Sequence, residues 1–158
     1  MKPELQVELF RRYPKLFRKP GKRLVHPEVI SELGPRLEDD NGPFGERGIE
    51  CGDGWFALVD RLCGACEHEI ETLISQDVPK ECWPRVAQIK GKMGGLRFYV
   101  NESLTDELRA LILTVEEEES RRTCEYCGAP GKLREGEWRH TYCDQHAELG
   151  VTICCCSD

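Results

Sequence analysis

The sequence predicts an α+β fold: helices packed on a short antiparallel β-hairpin or sheet, plus a C-terminal treble-clef-like zinc ribbon. Three stretches carry that expectation. They are a helix-periodic run from Gly54 to about Ser75, a period-two run over residues 96–100, and paired metal-ligand spacings between Thr123 and Leu149. On this reading residues 1–50 form an N-terminal helix and a long irregular connection, 51–122 an α+β core of helix, hairpin and helix, 123–149 a zinc-binding module, and 150–158 a Cys-rich flexible tail.

Length and composition bound the function. A chain of 158 residues suits one domain, or one domain with a small metal-stapled module. Hydrophobic content of 39 % and charged content of 32 % fit a soluble globular protein, with no apolar run near the length of a membrane span. Nothing after Lys2 reads as a signal peptide. Ten cysteines would suit a disulfide scaffold, yet the metal spacing and the missing leader point to a reducing cytoplasm. The net charge of −7 argues against non-specific binding to nucleic acid or to an anionic membrane. Its distribution is uneven: residues 1–36 hold nine Lys/Arg against four acids, 37–82 three against twelve, and 83–101 four against none. A basic arm and a basic hairpin therefore sit on an acidic body.

In chain order, Pro3 to Phe17 reads as a short amphipathic helix with Leu5, Leu9 and Phe10 on one side and a break near Pro14. Arg18 to Arg23 is basic, but so short a run beside Pro and Gly reads as a solvated linker. Residues 24–50 hold Pro27, Gly34, Pro35, Gly42, Pro43, Gly45 and Gly48, a density of breakers that marks a surface connection or insertion. Asp53 can cap the helix that follows, whose apolar stripe runs through Phe56, Leu58, Val59, Leu62, Cys63, Cys66, Ile70, Leu73 and Ile74. Three readings of Cys63 and Cys66 stay open: core cysteines, a second thiol or metal cluster completed by Cys51, Cys82 or His68, or a redox pair. A redox pair normally sits at an exposed helix N-terminus, and this one is three turns in.

Residues 85–100 read as the hairpin, with a turn region at 91–95 and with Leu96, Phe98 and Val100 facing inward, Arg97 and Tyr99 outward. Lys90, Lys92 and Arg97 beside Tyr99 make a small basic surface that could hold nucleic acid or an acidic ligand; two acidic neighbouring helices favour solvated charge instead. Ser103 or Thr105 caps the next helix, whose face is Leu104, Leu108, Leu111, Ile112 and Val115. Glu116 to Glu119 then read as a solvated helix end.

The last stretch is the most specific. Cys124-x2-Cys127 and Cys143-x2-His146, with fifteen residues between them, can place four donors at the corners of a tetrahedron. Gly128 suits the tight turn beneath such a knuckle. Lys132 to Arg134 and Trp138 to Tyr142 read as two short strands, and Asp144 onward as a helix start. Three thiolates and one imidazole leave no open position, so the expected Zn2+ is structural. His140 reads as a strand histidine, and Cys154, Cys155 and Cys156 as an oxidisable end without a membrane-anchoring context.

The order of motifs, YPKLF, then GIECGDGW-x6-LC, then IKGKMGGLRFYV, then CEYCGAPGKLR-x2-EWRHTYCDQH, resembles a family of small uncharacterised bacteriophage and prophage proteins. The resemblance spans most of the chain outside residues 20–46 and the tail, with Met93 where that family more often has Phe. It implies a phage-encoded accessory protein in the host cytoplasm and no known reaction. The finger alone is similar to those of the DksA/TraR type, which bind RNA polymerase; the catalytic histidines of HNH nucleases are missing. The expected role is to bind and modulate a host protein, such as a defence complex or the transcription machinery. A nucleic-acid-binding zinc ribbon is the alternative, and a small enzyme is less favoured.

Overall fold

The computed structural model describes residues 1–18, 48–101, 104–136 and 138–150, with Leu149 and Gly150 as backbone alone. Most of the breaker-rich connection, the basic run beyond Arg18, the Ser103 cap and the cysteine tail lie outside the described residues. Helix α1 (Pro3–Arg12) begins with a proline, whose missing N–H is harmless in a first turn, and carries Arg11 and Arg12 in its last. It stops before Pro14, and a turn over residues 14–17 brings Leu16 and Phe17 into the core beside Leu9. The carboxylate of Glu67 closes that turn, accepting the N–H groups of Leu16 at 2.9 Å and Lys15 at 3.2 Å.

Arg18 is not part of a solvated linker. Its guanidinium donates to the carbonyls of Lys15, Lys80, Trp83 and Pro84 at 2.6–3.1 Å and lies 5.7 Å from the Trp83 ring centroid. The long side chain ties the end of the N-terminal segment to the loop that enters the sheet, a role no local charge pattern reveals.

The sheet has three strands in the order β1-β2-β3: β1 (Ile49–Glu50), β2 (Arg85–Lys92) and β3 (Gly95–Asn101). The β2–β3 hairpin is antiparallel as expected, but β1 pairs parallel with β2, so the sheet is mixed. Two residues among breakers show no alternation from which that edge strand could be read. Lys92 pairs with Gly95, leaving Met93 and Gly94 as a two-residue turn with φ of +54° and +74°. Both positive values mark a type I′ turn, which matches the twist of the strands it joins. Register shifts between Val86 and Gln88, so Ala87 is an extra residue, and the bulge lets both Val86 and Ile89 reach the core despite their odd spacing.

Helix α2 (Phe56–Ser75) buries Leu58, Val59, Leu62, Cys63, Cys66 and Ile70 against this sheet and α1. A 3₁₀ turn, Asp53–Trp55, precedes it, and Asp53 does not cap it: the carboxylate takes the N–H of Lys2 at 2.7 Å and its ammonium at 3.2 Å. Helix α3 (Asp106–Thr114) is capped by Thr105, whose hydroxyl accepts from Leu108 N–H at 3.4 Å. It continues as a π-helical turn, Val115–Glu119, and a 3₁₀ turn, Ser120–Arg122.

That acidic turn is tied into the fold and is not a solvated end. Glu116 Oε1 accepts the N–H of Phe98 at 2.6 Å, and Ser120 Oγ accepts that of Leu96 at 3.0 Å while donating to the Glu116 carbonyl at 2.8 Å. Both N–H groups belong to an edge strand, where unpaired donors invite association with other chains. Gln6 blocks the opposite edge in the same way, its Oε1 accepting Ile49 N–H at 2.9 Å. Burial pushes the Glu116 carboxyl up against the pull of the Phe98 amide and Arg97. No helix of the described residues is long and apolar enough to cross a membrane.

Candidate metal centre

The C-terminal module is built on two strands, β4 (Lys132–Arg134) and β5 (His140–Tyr142), paired antiparallel. The second strand is shorter than its sequence suggests. Three residues of β4 are all that it can pair with, and Trp138 and Arg139 stand exposed in the connecting loop. Cys124 and Cys127 lie in the turn that precedes β4. The Gly128 N–H donates to the Cys124 carbonyl at 2.8 Å, the Cys124 N–H to the Ala129 carbonyl at 2.7 Å, and Gly128 has φ +78°. Cys143 follows β5 directly, and His146 sits one turn into a 3₁₀ helix, Asp144–Gly150, with its N–H on the Cys143 carbonyl at 3.2 Å.

Four potential ligand atoms, the sulfurs of Cys124, Cys127 and Cys143 and a ring nitrogen of His146, lie within 4.8 Å of one another. Cys127 Sγ is 3.8 Å from Cys143 Sγ, and His146 Nδ1 is 3.7 Å from Cys124 Sγ and 3.1 Å from Cys143 Sγ. A tetrahedral ion with bonds of about 2.3 Å to sulfur sets its sulfurs about 3.8 Å apart, so the thiols already stand at coordination spacing. The inward nitrogen is Nδ1, and the imidazole is held by the Tyr126 ring at 4.4 Å between centroids. Burial opposes ionisation of Cys124, but the backbone amides of Cys143, Cys127 and Tyr126 outweigh it and bring the thiol down to about 6. Those residues can therefore hold a metal cation.

A residue between the first two ligands fastens this turn to the core. The Glu125 carbonyl accepts the Gly54 N–H at 2.8 Å, its Oε1 accepts the Gly52 N–H at 3.1 Å, and its own N–H donates to the Thr141 carbonyl at 2.8 Å. Trp55, fully buried, donates its indole N–H to the Thr123 carbonyl at 2.8 Å. The two backbones approach so closely that a Cβ on Gly54 would stand 2.2 Å from the Cys124 carbonyl, and one on Gly52 2.1 Å from the Glu125 carbonyl. The paired glycines of Gly52-Asp53-Gly54-Trp55 were the available signal for this seat. Nothing local marked Glu125. On the other side, the buried Thr141 hydroxyl donates to the Gly94 carbonyl at the hairpin turn at 2.6 Å.

The second thiol set is not assembled. Cys63 and Cys66 are buried in the α2 stripe, Cys51 is buried near Glu125, and Cys82 is exposed; among the described residues only the Cys124 group forms a metal-capable cluster. Burial pushes the Cys51 and Cys66 thiols up to about 12 and Cys63 well up, the reverse of what a reactive thiolate requires. His140 lies in β5 outside the ligand group, its ring stacked on Tyr142 at 5.1 Å and its Nδ1 3.5 Å from Glu125 Oε2. The basic face is partly neutralised. Arg97, expected to face out, is largely covered and pairs with Glu117 at 3.1 Å, while Lys90 lies 5.7 Å from the centroid of the exposed Tyr99 ring and Lys92 is exposed at the end of β2. Comparison with protein-family models, curated proteins and solved structures finds no significant match to the chain.

Proposed function

We propose that this chain is a phage-encoded accessory protein that binds and modulates a host protein, with a structural zinc ion building its binding module. Three thiolates with one imidazole is a ligand set that zinc fills as a closed site, leaving no position for substrate. Knuckle, hairpin and helical turn follow one another as in a treble-clef ribbon, and the thiols call for a reducing compartment such as the host cytoplasm.

The observation that carries the interaction reading is where apolar surface remains. Of seven large apolar side chains exposed among the described residues, Tyr126, Leu133 and Trp138 belong to the metal module, and Met93 lies at the hairpin turn against it. Trp138 is 68 % and Tyr126 57 % exposed, and aromatic residues of this kind anchor protein interfaces. The nucleic-acid alternative would use Lys90, Lys92, Arg97 and Tyr99, but Arg97 is already paired with Glu117, and Asp144 takes both Lys132 and Arg134.

Affinity capture from bacterial lysate, with and without nuclease, tests the choice. A stoichiometric host protein that survives nuclease and is lost with Trp138→Ala and Tyr126→Ala supports the proposal. Recovery of nucleic acid alone, lost on nuclease treatment and with Lys92→Ala, would replace it with the alternative.

A further inference from the structure

We propose that metal occupancy controls the N-terminal half of the core as well as the C-terminal module, because the metal-held turn 124–128 serves as the cap of α2. The inference rests on the reading that Cys124, Cys127, Cys143 and His146 hold a metal ion. Helix α2 and its leading 3₁₀ turn begin without any side-chain cap of their own, and Asp53 is committed to Lys2. The donors that a cap would satisfy are met instead by Glu125: its carbonyl takes Gly54 N–H and its carboxylate takes Gly52 N–H. Trp55, the largest fully buried side chain, is anchored on Thr123 just before the first ligand.

Glu125 lies between two ligands, so its position is set by them. With the ion in place, Cys124 and Cys127 are fixed at both ends of a short turn, and the acceptor geometry of Glu125 is fixed with them. Without it, three thiols and an imidazole lose their common centre. The turn then keeps only a few backbone hydrogen bonds, among them Gly128 N–H to Cys124 O and Glu125 N–H to Thr141 O. The contact with Gly54 is backbone on backbone, with no flexible side chain to absorb a shift. Release of the metal therefore uncaps α2 and loosens Trp55, which carries the change into β1 and the start of α2. Linkage makes the effect mutual: whatever factor the metal contributes to the cap, the cap contributes to metal affinity.

The test uses the full zinc-loaded chain carrying Trp83→Phe and Trp138→Phe, so that emission reports Trp55. Zinc is withdrawn with a chelator while released metal, emission and amide exchange at Gly54 are followed together. The proposal expects Trp55 emission to shift red and Gly54 protection to fall as zinc leaves, both returning when zinc is restored. Zinc leaving with emission and Gly54 protection unchanged would overturn it and leave the metal reading standing. A chain that binds no zinc in the first place overturns both. Gly54→Ala keeps every ligand but places a Cβ against the Cys124 carbonyl, and should weaken zinc binding about tenfold. Should that variant fail to fold, Glu125→Ala, which keeps the backbone bond to Gly54 but removes the carboxylate from Gly52 and His140, should weaken it about two- to fivefold. Unchanged zinc affinity in the variant that folds contradicts the proposal.

Discussion

Thr141→Val probes the seam between hairpin and metal module. Thr141 is fully buried, and its hydroxyl donates to the carbonyl of Gly94 at 2.6 Å. Gly94 is itself buried, with Leu133 and His140 against it. Valine has nearly the same shape, so no cavity forms; what changes is that a desolvated carbonyl loses its donor. Leaving one partner unsatisfied in this way costs about 1–3 kcal/mol. At about 2–4 °C per kcal/mol for a domain of this size, melting should fall by roughly 2–12 °C, read by circular dichroism at equal metal loading. Thr141→Ser separates the hydroxyl from the methyl group. It keeps the donor and loses only contact near Gly131, and should cost no more than about 1 kcal/mol. If the valine variant melts with the parent while serine falls, the hydroxyl contributes nothing and the seam is held by packing alone.

Four further outcomes follow from the same contacts. Met93→Asn should raise stability by roughly 1 kcal/mol in urea unfolding, since asparagine tolerates the positive φ that methionine adopts here at a cost. Arg18→Ala removes a charged donor to four carbonyls and should cost about 2–3 kcal/mol in the same assay, whereas a solvated linker residue would cost nothing measurable. Glu116→Gln keeps an acceptor for Phe98 N–H without the charge. Because burial raises the native Glu116 pKa, the native state binds more protons than the unfolded chain across that window. The ionised form thus costs stability at neutral pH, and the cost disappears as pH falls through the native value. The glutamine variant should accordingly gain most on the parent at neutral pH, with the gain shrinking as acidification protonates the native Glu116 carboxyl; a gap that is flat or widens on acidification refutes the assignment. Ser120→Ala strands the buried Leu96 N–H and should cost about 1–3 kcal/mol, with amide exchange at Leu96 accelerated.

Much of the metal centre was legible because its signal is local. Two residues between ligands fix the donors of each pair, and no distant part of the chain is needed to recognise Cys124, Cys127, Cys143 and His146 as candidates. The stripe of α2 and the β2–β3 hairpin were legible for the same reason, through periodicity. Contacts made across the fold left no such trace. Glu125 reads as an ordinary acid between two cysteines, yet it receives the start of α2; Glu116 reads as one carboxylate in a charged run, yet it closes the edge of β3. Asp53 shows how a sound local argument fails: it has the residue type and position of a cap, but Lys2 offers it both a backbone N–H and an ammonium. The parallel strand β1 and the Arg18 anchor were hidden because β2, and the carbonyls of Lys80, Trp83 and Pro84, lie more than thirty residues away.

Native mass spectrometry of the full chain tests the central claim, that one zinc ion held by four named residues organises this molecule. The account predicts the mass of one zinc per chain in the parent, and its loss in both Cys124→Ser and Cys143→Ser. A parent without bound metal, or zinc retained in both variants, would contradict it.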